Sequence, residues 1–252
     1  MVVRSIPMDV PSFNQLKLPE KLADIANYER GLILVTGVTG SGKSTTMASI
    51  VDYINQTKRK HIITIEDPIE YIIADRKSII SQRELGSDTT SFKAALRSAL
   101  RQDPDVILIG EIRDRETMDI ALLAAETGHL VISTLHTADA RETVNRILVY
   151  YEQHEQLQVR AQLASVLRAV VSQRLATTTS GNGMVPAVEI MLSTARIRDL
   201  IADPTKTAYL TEAIEEGHIT SGMQSFDQSL MQLMSESVID YNEALQLSSN
   251  PE

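Results

Sequence analysis

The sequence contains no cysteine and no tryptophan, and three phenylalanines with seven tyrosines bring the aromatic share to only 4%. Without cysteine there can be neither a disulfide framework nor a cysteine-ligated zinc site. So few aromatic rings leave little for a base-stacking platform of the kind that grips single-stranded nucleic acid. No apolar run approaches the ~20 residues needed to span a bilayer, and the opening MVVRSIPMDVPSF lacks the apolar stretch of a signal peptide. Positive charge is in deficit: 24 Lys and Arg stand against 33 Asp and Glu, a formal net charge of −9. That balance argues against wrapping nucleic acid, which calls for a basic stripe.

What is present is a globular composition, 43% apolar and 23% charged over 252 residues. After a proline-bearing stretch with one short helix expected over 20–28, short apolar runs recur at 32–36, 62–65, 106–109 and 130–134. Runs of this length suit strands buried on both faces of a parallel sheet. Helical patterns lie between them, at 44–56, 91–101 and 115–126. Strand alternating with helix predicts an α/β fold around a mostly parallel sheet with right-handed crossovers. Beyond residue 150 the pattern changes. A long helix is expected over 152–175, a polar loop over 177–183, one further strand over 185–191, and helices over 194–201, 207–216 and 226–236. The expected organisation is a linker over 1–30, a P-loop core over 31–183 and a mainly helical C-terminal subdomain over 184–252.

Residues 37–44, GVTGSGKS, fit G-x-x-x-x-G-K-[ST] in full, after an expected strand and at the head of an expected helix. Glycines let the backbone curl so that its N–H groups form an anion nest, and the helix N-terminus adds partial positive charge. In this chemistry Lys43 reaches the β- and γ-phosphates and the Ser44 hydroxyl ligates Mg²⁺. Thr39, Gly40, Ser41, Gly42, Lys43, Ser44 and Thr45 are therefore the nucleotide-contacting candidates, with ATP and Mg²⁺ as the expected cofactors.

Ligands of open α/β sheets bind beyond the carboxyl ends of the strands. Acids stand at two such ends: Glu66, Asp67 and Glu70 after the run at 62–65, and Glu111 after Gly110. ATP hydrolysis needs one carboxylate to orient the attacking water and another for the metal shell. Glu70 is the first candidate for the water, with Glu66 competing, and Glu111 for the metal together with Ser44. His136 follows the run at 130–134 and so falls beside the expected nucleotide, whereas His129 precedes it.

Taken together, GVTGSGKS, TIEDPIEY, ILIGEIRD and GHLVISTLHT resemble, in order and spacing, the Walker A, Asp-box, Walker B and His-box segments of the secretion ATPase superfamily that serves type II secretion, type IV pili and archaeal flagella. The resemblance covers roughly residues 30–250. It implies a RecA-like core in which Lys43 binds phosphate, Glu70 is the catalytic glutamate, Glu111 is the Walker B acid, and His129 and His136 belong to the His box. Extension-type members carry a four-cysteine zinc insert, which this chain lacks. The segment ARIRDLI at 195–201 is similar to the AIRxLI signature of PilT-type retraction motors, with PilU-type accessory motors as close relatives. Read without the resemblance, the same segment is an amphipathic helix with Ile197, Leu200 and Ile201 inward and Arg196 and Arg198 in solvent.

The resemblance implies a Mg²⁺-dependent ATPase in a homohexameric ring that drives pilus retraction and twitching motility. Such a motor would be cytoplasmic and peripheral at the cytoplasmic face of the inner membrane. Its partners would be an inner-membrane pilus platform protein and possibly a second retraction ATPase, with no nucleic acid. Arg97, Arg101, His129, Arg196 and Arg198 are the coupling or partner candidates. Members of the family normally carry a PAS-like N-terminal domain, of which Val2 to Pro7 looks like the tail. The expectation is that this chain alone binds nucleotide well and hydrolyses it slowly. Two rivals from other classes are a RecA- or helicase-like nucleic-acid motor, betrayed by DNA-stimulated turnover, and a nucleotide-responsive assembly module with little turnover.

Overall fold

The computed structural model describes residues 6–7, 9–181 and 183–250; of the expected tail at 2–7, residues 2–5 lie outside that range. The chain runs α1 (Lys21–Ala26), β1 (Gly31–Thr36), α2 (Lys43–Thr57), β2 (His61–Glu66), β3 (Ile79–Glu84), α3 (Phe92–Ala99), β4 (Val106–Ile109), α4 (Arg115–Glu126), β5 (Leu130–Leu135), α5 (Ala140–Val149), α6 (Gln156–Val166), β6 (Leu167–Thr177), β7 (Met184–Leu192), α7 (Ala195–Ala202), a 3₁₀ turn (Thr207–Tyr209), α8 (Leu210–Ser221), α9 (Phe226–Ser235) and α10 (Tyr241–Leu247). The strands form one sheet of order β3-β2-β4-β5-β1-β6-β7. All pairs are parallel except β6 with β7. This is a RecA-like α/β fold.

The central strands are mostly apolar because helices cover both faces of the sheet; every residue of β1, β4 and β5 is buried, with Thr36, Ser133 and Thr134 as the polar exceptions near the strand ends. Their register aligns the ends that matter. Thr36 lies opposite Leu135, Ile65 opposite Ile109 and Ile109 opposite Ser133. Glu66, Gly110 and the residues following β5 thus emerge along one edge. Local caps start most of the helices. Ser91, Asp114, Asp139, Thr194, Ser225 and Asp240 each accept a backbone N–H from the first turn of the helix they precede.

The expected long helix over 152–175 is replaced by α6, which stops at Val166, and by β6. The apolar run beginning near Leu163 fits a buried helix or a buried strand equally by periodicity. Tertiary context decides. β1 has an open edge, and β6 with its β-branched Val170 and Val171 fills it, so that the backbone groups of β1 are paired on both sides. Three elements carry no expectation from the sequence: β3, a half-exposed edge strand bearing Arg83 and Glu84, α5 and α10. The expected division at residue 183 falls in the turn between β6 and β7, so the sheet runs on through β7 before the helices begin. Of those helices, α7 and α8 add Ile197, Leu200, Ile201, Leu210 and Ile214 to the main core. The α9 helix, with the outer part of the β6–β7 hairpin, builds a small second core around Phe226 and Leu230.

Candidate active site

The phosphate loop leaves β1 at Gly37, whose φ of 144° suits glycine alone. A Cβ there would stand 2.5 Å from the Gln173 carbonyl oxygen. Gly42, at φ 89°, precedes α2 without a side-chain cap, so the first amides of this helix are left to a ligand rather than to a neighbouring hydroxyl or carboxylate. Lys43 is only 7% exposed. Its Nζ donates to the carbonyls of Gly37 at 2.8 Å and Val38 at 2.9 Å. Burial pulls its pKa down, and the carboxylates of Glu111 and Glu70 oppose that pull. The Ser44 hydroxyl donates to Glu70 Oε1 at 3.2 Å, and the Thr45 hydroxyl lies 3.3 Å from that of Tyr71.

Four carboxylates, Glu66, Asp67, Glu70 and Glu111, face the same cleft of ≈ 230 Å³ as Thr39, Gly40, Lys43, Ser44 and His136. Glu66 ends β2; Thr64 Oγ1 and Gln82 Nε2 donate to its Oε1 at 2.7 and 3.2 Å. Burial pushes its pKa up in spite of these donors. Glu70 follows on the segment after β2. Glu111 follows Gly110, where a Cβ would press at 3.3 Å on the Ile65 carbonyl oxygen, so a glycine lets β4 leave the sheet close beside β2. Glu111 pairs with the Arg113 guanidinium and lies 3.5 Å from His136 Nε2. Arg113 also stands 3.8 Å from Asp67. Among the described residues no group of three or more His, Asp or Glu side chains could hold a metal ion by itself. A cation held here would therefore share its oxygen ligands with a phosphate, as Mg²⁺ commonly does.

The other candidates lie elsewhere. Ser41 turns away from the cleft and lines a second cavity of ≈ 290 Å³ with Gly42, Thr45, Gln173 and Met184. His129 sits at the opposite end of β5 from His136. Its Nδ1 lies 3.0 Å from the Ala124 carbonyl and 3.2 Å from Thr127 Oγ1, at the C-terminus of α4. Arg97 and Arg101 are exposed at the end of α3. On α7, Arg196 pairs with Glu216 of α8, and Arg198 donates to the Ser193 carbonyl at 2.8 Å. Sequence reasoning passed over Thr64, Tyr71, Gln82, Arg113 and Thr134. Two of them carried a signal: Arg113 is two residues from Glu111, and Tyr71 directly follows Glu70. Gln82 carried none, because its strand was not foreseen.

A protein-family model described as type II/IV secretion system protein matches residues 6–224. The chain belongs to this family. It is a P-loop ATPase. It is 48% identical over 251 residues to the twitching motility protein of Neisseria gonorrhoeae, covering all of this chain and 67% of that protein. It is 46% identical over 251 residues to the type IV pilus retraction ATPase PilT of Pseudomonas aeruginosa, covering all of this chain and 72% of that one. A crystal structure of the pilus retraction motor PilT with bound ADP superposes with a TM-score of 0.90 at 48% identity, over 98% of this chain and 70% of the other.

Proposed function

We propose that this chain is the motor of a homohexameric ring that hydrolyses Mg²⁺-ATP and drives retraction of type IV pili. The observation that carries the reading is the convergence of Lys43, Ser44, Glu70 and Glu111 on one cleft at the carboxyl edge of the sheet. Its likeness to twitching and retraction proteins supports the choice of pilus retraction. Lys43 holds the β- and γ-phosphates. Ser44 and Glu111, hard oxygen donors on either side of the cleft, suit Mg²⁺, which when bound neutralises negative charge developing on the phosphates. Glu70 orients the attacking water. Glu66 is the alternative, but its Oε1 already accepts two protein donors.

The open side of the cleft carries Arg113 and His136, whose side chains are 62% and 51% exposed. A neighbouring subunit would meet both; Arg97 and Arg101, at the end of α3 away from the cleft, would meet a neighbour only on a separate face. The second cavity, where Ser41 Oγ and Gln173 Oε1 are buried without a protein partner, would take the nucleoside. The sheet then carries the chemistry. The helices from α7 onward, with Arg196 and Arg198 outside, carry the face for a platform protein at the inner membrane.

Glu70→Gln keeps the shape and removes the base. It is expected to keep ATP affinity within about threefold and to lose most turnover, on the order of the 10²-fold or more that general-base removal brings. A titration paired with single-turnover hydrolysis checks this. Retained turnover in Glu70→Gln with loss in Glu66→Gln would exchange the two roles.

A further inference from the structure

Glu189 stands on β7 among apolar neighbours, Val188 and Ile190 on the strand, and is only 4% exposed. A carboxylate that deep is disfavoured in its charged form unless it is well bonded, and burial pushes its pKa up to about 7. Its hydrogen bonds are specific. Oε1 accepts the Ala140 N–H at 2.7 Å and the Ser172 hydroxyl at 3.2 Å. Ser172 in turn accepts the Thr36 hydroxyl at 3.0 Å. Thr36, Ser172 and Ala140 are all fully buried.

These partners stand at two structural roots. Thr36 is the last residue of β1, and the phosphate loop starts at the next residue. Ala140 is the first residue of α5, and the segment 136–139 that leads into it carries His136. That segment is fastened to α5: Thr137 Oγ1 lies 2.6 Å from Thr143 Oγ1, and the Ala138 N–H reaches Glu142 Oε2 at 2.6 Å. The helix already has its own cap in Asp139, which accepts the Glu142 N–H. Glu189 is therefore not the cap of α5; its bond ties the first residue of α5 to β7. The charges nearest to it are Asp139, which opposes its ionisation, and Arg174 on β6, which favours it.

We propose that Glu189 is a positioning residue that fixes the head of α5, and with it His136, against the root of the phosphate loop. The inference rests on His136 belonging to the working site.

The test compares wild type with Glu189→Ala, Glu189→Gln, His136→Ala and the double variant Glu189→Ala/His136→Ala. Single-turnover ATP hydrolysis with protein in excess reads the rate, and a titration reads ADP affinity. Glu189→Ala is expected to slow hydrolysis about tenfold with ADP affinity within about threefold, the split that marks a loss felt in the transition state. Glu189→Gln, whose amide oxygen accepts both donors, should restore the rate to within about twofold. The double variant should be no slower than His136→Ala, because the two changes act through one element. If Glu189→Ala fails to fold, Glu189→Leu fills the volume without an acceptor and takes its place. An unchanged rate in Glu189→Ala beside a slow His136→Ala overturns the inference, as does a double variant whose two losses multiply in full. A silent His136→Ala instead overturns the reading of His136; a slow Glu189→Ala beside it shows that Glu189 acts on something else, and the inference falls too.

Discussion

The two ends of the sheet treat charge in opposite ways. At the end where β1, β2 and β4 begin, Lys60 lies 2.8 Å from Glu29 and 3.2 Å from Asp105, and Lys58 lies 3.1 Å from Glu29. Hydrogen bonding raises the pKa of Lys60 and lowers that of Glu29, so both charged forms are favoured. At the cleft end the directions reverse. Burial lowers Lys43 and raises Glu66 and Glu189. The far end uses its ions for stability, whereas the cleft end holds ions against their preference. Such opposed environments on one scaffold separate an ion network that favours its own charges from Lys43 and Glu66, which line the candidate site, and from Glu189 packed behind it.

The largest effect expected from this contrast is at Glu189. Its folded pKa, about 7, lies above the ordinary carboxyl value of 4.5, so between those values the folded state holds a proton that the unfolded state has lost. Stability is thus greatest below the unfolded value, falls as pH rises through the folded one, and is flat above it. Glu189→Gln removes that slope. Relative to wild type it should gain up to about 3 kcal/mol between pH 4.5 and 8. Denaturant midpoints at pH 5 and pH 8 measure the gap, and equal gaps at both values would show that Glu189 is not held protonated by burial.

Next comes Lys43→Ala. It removes a charge-assisted contact worth ~1.5–3 kcal/mol to a bound phosphate, which lowers nucleotide affinity roughly ten- to a hundredfold. Because the ammonium is buried against its preference, the melting temperature should hold or rise. Unchanged affinity in an ATP titration would remove the phosphate loop from the argument. Lys60→Ala at the far end should do the reverse, leaving turnover alone and costing ~0.5–1 kcal/mol, less at high salt because Glu29 is largely exposed. Denaturation at two salt concentrations reads that difference. Smallest are Arg196→Ala and Arg198→Ala, exposed on α7, which should each change stability by under ~0.5 kcal/mol. A larger fall in melting temperature would show that they hold α7 in place instead of offering it to a partner.

Much of this organisation is local and therefore legible in a single chain. A glycine-punctuated loop between an apolar run and a helix can be read without tertiary information, because the nest needs only consecutive residues. β4 and α4 coincide with the expected 106–109 and 115–126, since a short buried run and a helix opened by Asp114 each carry their own boundary. Lys43, Ser44, Glu66, Glu70, Glu111 and His136 all follow or end such runs, and parallel pairing alone brings strand ends together.

The remaining features depend on partners far apart in the chain. The stretch after Val166 becomes a strand because β1 has an edge to fill, a fact absent from its own periodicity. Gln82 reaches Glu66 across 16 residues, and Ser172 meets Thr36 across 136. Glu189 looks like a lone acid in an apolar strand until the antiparallel pairing sets it opposite Ser172 and packing brings it to the head of α5. Short-range sterics and burial periodicity write the elements into the sequence. Which buried polar groups satisfy one another is settled only when the sheet order closes.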